Sequence, residues 1–84
     1  MYRVVFKKSA EKDLGKLNSI YYNSVVEHIR SLSENPRPFG VTKLSTSQNA
    51  YRIRVGVYRI IYTIEDNILT VEIIKIDHRS SVYR

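Results

Sequence analysis

Two alternating runs meet at a glycine. Tyr51-Arg-Ile-Arg-Val55 and Tyr58-Arg-Ile-Ile-Tyr62 carry β-branched or aromatic residues at every second position, and Gly56-Val57 between them fits a two-residue hairpin turn with glycine first. If those two residues are the whole turn, Val55 lies opposite Tyr58, Arg54 opposite Arg59, Ile53 opposite Ile60, Arg52 opposite Ile61 and Tyr51 opposite Tyr62. A slip of one residue would exchange the two faces, so the apolar pattern itself selects this register. One face is then Tyr51, Ile53, Val55, Tyr58, Ile60 and Tyr62, ready to pack on helices. The other presents Arg52, Arg54 and Arg59.

The rest of the chain supplies that packing. Tyr2 to Phe6 reads as a first strand. Ser9 offers an N-cap with Glu11 in the first turn, and Ala10, Leu14 and Leu17 recur at helical spacing, so a short helix is expected over about residues 9–17. Asn18-Ser19 breaks it and caps a second helix whose apolar stripe is Tyr22, Val25, Val26, Ile29 and Leu32. Asn35-Pro36-Arg-Pro38 stops this helix, because proline lacks an amide hydrogen and keeps its predecessor out of the helical region. Residues 39–48 are irregular, with a short edge strand around Val41 to Leu44. Strands are expected over Ala50–Val55, Val57–Ile64 and Ile68–Ile76, with the last turn at Glu65-Asp-Asn67. The expected fold is α+β: a small two-layer domain over residues 1–84, with an N-terminal strand, an αα-hairpin and a mainly antiparallel sheet of three to four strands.

Eighty-four residues can form only a modest core, and with no cysteine there are no disulfides to reinforce it. A reducing, cytoplasmic setting follows as the expectation, since no stretch approaches the ~20 apolar residues of a membrane span. The formal charge of +6 favours a polyanion or an acidic partner over a small neutral ligand. That charge is uneven: residues 45–64 hold three arginines and no acid, whereas residues 1–44 mix eight bases with four acids. Lys7, Lys8, Lys12 and Lys16 read as solvated surface, and His28 as solvent-facing.

Cross-strand like charges are destabilising, so Arg54 opposite Arg59 argues for an anion between them. Alternatively, the two stems splay apart over Ile61. Pairing Ile64 with Leu69, Tyr62 with Val71 and Ile60 with Ile73 would continue the apolar face, placing Thr70, Glu72, Ile74, Ile76 and His78 on the arginine side. Glu72 would be the sole acid there. Tyr51, Tyr58 and Tyr62 fall on the packing face and are not expected to stack on bases. Metal-ligand spacings are absent, and no metal or other cofactor is expected.

At Tyr51-Arg-Ile-Arg-Val-Gly56, Tyr58-Arg-Ile-Ile-Tyr62 and His78-Arg79 followed by Val82-Tyr83, the chain resembles the RelE/ParE superfamily of toxin–antitoxin toxins. The resemblance covers almost the whole length, and the ending looks like the RelE branch. It implies a ribosome-dependent endoribonuclease whose partners are translated messenger RNA, the ribosome and a cognate antitoxin, with Arg52, Arg54, Arg59, Arg79 and Tyr83 at the active-site positions. Two of these positions are lysines in the best-known RelE and arginines here. A guanidinium cannot act as a base at neutral pH, so Arg52 and Arg54 are assigned to RNA phosphate binding. The implied reaction is attack of a 2′-hydroxyl on the adjacent phosphodiester, with Arg59 and Arg79 as bidentate phosphate ligands. Proton transfer falls to Tyr83 by resemblance, or to His78, whose ordinary pKa is nearest neutrality. Two other readings stay open: a ParE-like inhibitor of DNA gyrase, and an inactive basic module that binds RNA or antitoxin.

Overall fold

In the computed structural model, which describes residues 1–45 and 48–79, the chain runs β1 (Arg3–Phe6), α1 (Lys8–Gly15), α2 (Ser19–Ser31), β2 (Thr42–Lys43), β3 (Ala50–Val55) and β4 (Tyr58–Glu65). A 3-10 turn at Asp66–Ile68 and β5 (Thr70–His78) follow. The strands form one five-stranded sheet in the order β1-β5-β4-β3-β2. It is one strand wider than expected, because β1 joins at one edge, parallel to β5, and the two-residue β2 joins at the other. The β3–β4 register is the one the alternation selects, with Arg54 opposite Arg59 and Tyr51 opposite Tyr62.

Both helices cover the apolar face. Ala10 of α1 and Val25 and Ile29 of α2 share a core with Ile53, Ile60, Tyr62, Val71 and Ile73. The α1 start departs from expectation. Lys7 N–H donates to Ile73 O at 2.9 Å, prolonging the β1–β5 ladder, so the chain enters the helix at Lys8 with no side-chain cap. Ser9 therefore lies inside the helix. Where β1 ends, Asp13 takes over the β5 edge, its Oδ2 accepting from Ile76 N–H at 3.1 Å. The α2 start is as expected, with Asn18 Oδ1 accepting from Ile20 N–H at 2.9 Å.

The α2 stripe is as expected at Val25, Val26, Ile29 and Leu32 and departs at its first residue. Tyr22 is exposed, and Tyr21 instead packs its ring edge-on against Tyr58, 5.6 Å between centroids. Tyr21 also covers the hairpin turn: Gly56 has φ +60°, and a Cβ there would sit 2.9 Å from the Tyr21 ring. Both backbone conformation and space demand glycine at this position.

β5 departs most. The turn takes in Leu69, which adopts the left-handed conformation (φ 47°), so Val71 rather than Leu69 pairs with Ile64, and Ile73 rather than Val71 pairs with Tyr62. A β-bulge follows: Tyr62 pairs with Ile73 but Ile61 with Lys75, leaving Ile74 as the extra residue. Every side chain beyond it changes face. Ile76 is buried opposite Ile60, His78 lies opposite Tyr58, and Asp77 lies opposite Arg59. The expectation that Ile76 and His78 share the arginine side is overturned by this inserted residue. Among the described residues, no helix is long and apolar enough to cross a membrane.

Candidate functional site

Strand alternation raises Arg52, Arg54 and Arg59 from the sheet face away from the helices. Arg79 joins them at the end of β5, where its amide donates to Val57 O at 2.7 Å and holds the chain against the hairpin turn. Its carbonyl in turn accepts from Arg59 Nη2 at 3.4 Å. Arg54, Arg59 and Arg79 line a depression of about 350 Å³ with Gly56 and Tyr58. A guanidinium fork can donate two parallel hydrogen bonds to phosphate oxygens, so this lining has the chemistry that suits an anion.

A second, larger hollow of about 730 Å³ adjoins it through Arg54. Arg52, Arg54, His28, Pro38, Phe39 and Thr42 are among its walls. It opens because β2 covers only Tyr51 and Arg52 of β3, leaving Ile53 to Val55 without an outer strand. Arg54 thus borders both hollows.

The loop forming the outer wall is tied down. Arg37 makes a two-armed ion pair with Asp66, Nη2 to Oδ2 at 2.8 Å and Nη1 to Oδ1 at 3.2 Å, and Tyr2 donates its hydroxyl to the same carboxylate at 2.6 Å. Arg37 Nε donates to Tyr51 Oη at 3.2 Å, with the guanidinium 5.3 Å from that ring's centre. The buried Tyr62, stacked on Tyr51, donates its hydroxyl to Pro36 O at 2.8 Å. Hydrogen bonds from Arg37, then from Tyr2, hold the Asp66 carboxyl below its usual range. Burial, then the neighbouring Tyr51, pushes the Tyr62 hydroxyl up to about 12.

Arg54, Arg59 and Arg79 are brought to one hollow, and Arg52 to the other beside Arg54. His78 is not: it lies on the helix-facing side, edge-on to Tyr58 at 5.4 Å, beside a separate hollow shared with Asp13, Lys16 and Leu17. Tyr83 lies outside the described residues. Asp77 replaces His78 on the arginine side, an acid the alternation alone did not reveal; its Oδ1 is 3.7 Å from Lys75 Nζ. His28 is exposed as expected, and its place with Phe39 on the larger hollow is something the sequence did not reveal. A phenylalanine between proline and glycine in a polar loop was the available signal. Among the described residues, no three His, Asp or Glu side chains converge as metal ligands would.

Comparison with known proteins places this arrangement in a family. The model of the ParE toxin of type II toxin–antitoxin systems, parDE, matches residues 4–83. The toxin RelG of Mycobacterium tuberculosis is 36% identical over 84 residues, spanning 99% of this chain and 97% of the relative. The crystal structure of the archaeal RelE–RelB complex from Pyrococcus horikoshii contains a chain that superposes with a TM-score of 0.82 at 32% identity, covering 93% of this chain and 94% of that one. The isolated E. coli RelE toxin superposes equally well, TM-score 0.82 at 28% identity, covering 99% and 92% of the two chains. The chain belongs to the RelE/ParE superfamily of type II toxin–antitoxin toxins.

Proposed function

We propose that the protein is a RelE-type toxin that cuts messenger RNA on the translating ribosome in the cytoplasm. The observation that carries this reading is the hollow lined by Arg54, Arg59 and Arg79, whose positive charge suits a phosphodiester. The RNA 2′-oxygen attacks the adjacent phosphorus, the bond to the 5′-oxygen breaks, and the products are a 2′,3′-cyclic phosphate and a 5′-hydroxyl. Arg59 and Arg79 ligate the scissile phosphate and stabilise the more anionic pentavalent centre. Arg52 and Arg54 hold the strand. Tyr83 exchanges protons with the nucleophile and leaving group by likeness to the family, and His78, on the opposite face, takes no part. No step calls on a metal ion.

The same basic surface is the docking face for an acidic or amphipathic antitoxin, in keeping with the RelB-bound state of the Pyrococcus relative. Primer extension on messenger RNA from cells inducing the protein, with and without translation, tests the reading. Translation-dependent cuts within codons, lost in folded Arg79→Ala and Tyr83→Phe variants, are expected. DNA damage without RNA cuts would instead assign the protein to gyrase inhibition.

A further inference from the structure

Phe39 is the most exposed large apolar residue among the described residues, at 105% of its reference accessibility, and packing gives no reason for it. The loop that carries it is nevertheless well fixed. The Arg37–Asp66 pair and the Tyr62–Pro36 hydrogen bond hold its start; Val41 N–H donating to Pro38 O at 3.1 Å closes a turn around Phe39, and Gly40 sits at φ +91°. Fixing the backbone of the turn before binding lowers the ordering cost that a ligand of Phe39 would have to meet.

Phe39 lines the 730 Å³ hollow together with Arg52 and Arg54, and Arg54 also lines the three-arginine depression. Cationic groups that follow a sugar–phosphate backbone, with an aromatic face beside them, are the two parts of a single-stranded nucleic-acid site. A purely acidic peptide would use the arginines and not the ring; an amphipathic antitoxin would bury the ring as well, and an abasic strand separates that use from stacking on a base.

We infer that Phe39 is a base-stacking platform: a nucleotide flanking the scissile phosphate lays its base on the Phe39 ring while Arg52 and Arg54 hold its backbone. This rests on the reading of the arginine surface as an RNA site, and it adds a residue that selects unstacked, base-bearing RNA over other polyanions. Stacking is tolerant of base identity, so the contribution is to strand conformation rather than sequence.

Binding can be read separately from cutting with a short 2′-O-methyl oligoribonucleotide, which cannot be cleaved, and an abasic strand of equal length, both at low salt and followed by fluorescence anisotropy. Phe39→Ala is expected to weaken the base-bearing strand by about 5- to 150-fold and leave the abasic strand unchanged, with Phe39→Trp restoring affinity. Arg52→Ala should weaken both strands alike. Equal effects of Phe39→Ala on the two strands, no effect on either, or no preference of the wild type for bases would overturn the inference. So would loss confined to the antitoxin complex, which would give Phe39 to a protein interface. Base-dependent binding by a protein that makes no translation-linked cuts would remove the nuclease reading and leave the stacking role standing.

Discussion

Arg54 stands directly opposite Arg59 across the β3–β4 hairpin, two cations at the lateral spacing of paired strands. Cross-strand like charges cost up to about 1 kcal/mol. Asp77, opposite Arg59 on the other flanking strand, offsets part of that repulsion, and a bound phosphate would relieve the rest.

Arg54→Gln should therefore stabilise the free protein by a few tenths to about 1 kcal/mol at low salt, an effect that shrinks as sodium chloride is added. Phosphate at matched ionic strength should raise the wild-type melting temperature more than that of the variant, through ligand linkage. Thermal melts of both proteins in chloride and in phosphate measure this, and equal responses would show that no anion lodges between the two side chains.

Asp77 places one negative charge among these cations, opposite Arg59. Asp77→Asn should tighten single-stranded RNA binding about two- to fivefold at low salt, with the gain fading as salt screens it. Weaker binding in the variant would mean that Asp77 serves to orient Arg59.

Gly56 combines φ +60° with a Tyr21 ring 2.9 Å from where a Cβ would stand. Gly56→Ala should cost about 1–3 kcal/mol in urea unfolding, from the left-handed backbone and the displaced ring together. In a double-mutant cycle, Tyr21→Ala should absorb part of that cost, giving a non-additive total. Strict additivity would show that the ring moves aside freely.

Asp66 is held below its ordinary carboxylate range by Arg37 and Tyr2. A depressed folded value means that the carboxylate stabilises the fold above its unfolded value of about 4, and that this stability is lost as pH falls through the lower folded value. Urea midpoints of wild type and Asp66→Asn should therefore differ by a constant amount above about pH 5 and converge in acid. Parallel curves down to pH 2 would refute a titrating Asp66 as the source.

The hairpin was readable from sequence because three signals agreed: a glycine where φ must be positive, apolar residues at every second position, and a register that only one face could satisfy. β5 was not, because Ile73 and Ile74 are adjacent and equally apolar, so the pattern accommodates either phase and conceals the extra residue. Leu69 in a left-handed conformation defeated the turn assignment for a similar reason, since leucine carries no signal for it. The exchange of Tyr22 for Tyr21 depended on where the Gly56 turn lies in space, which local periodicity does not contain. Four arginines of the site were recoverable because three follow from alternation and the fourth from family likeness. Phe39 follows from neither.

The bulge at Ile74 makes the site's chemistry a matter of counting. Among the last residues of β5, whether Ile74 bulges out or pairs decides which group meets the guanidinium groups, with no change in the residues themselves. The same sequence paired without a bulge would turn His78 towards the arginines and Asp77 away, but it would also turn Ile76 out of the core. Burial of Ile76 accordingly holds the bulge in place, and through it the choice of a counter-charge over an imidazole beside Arg59.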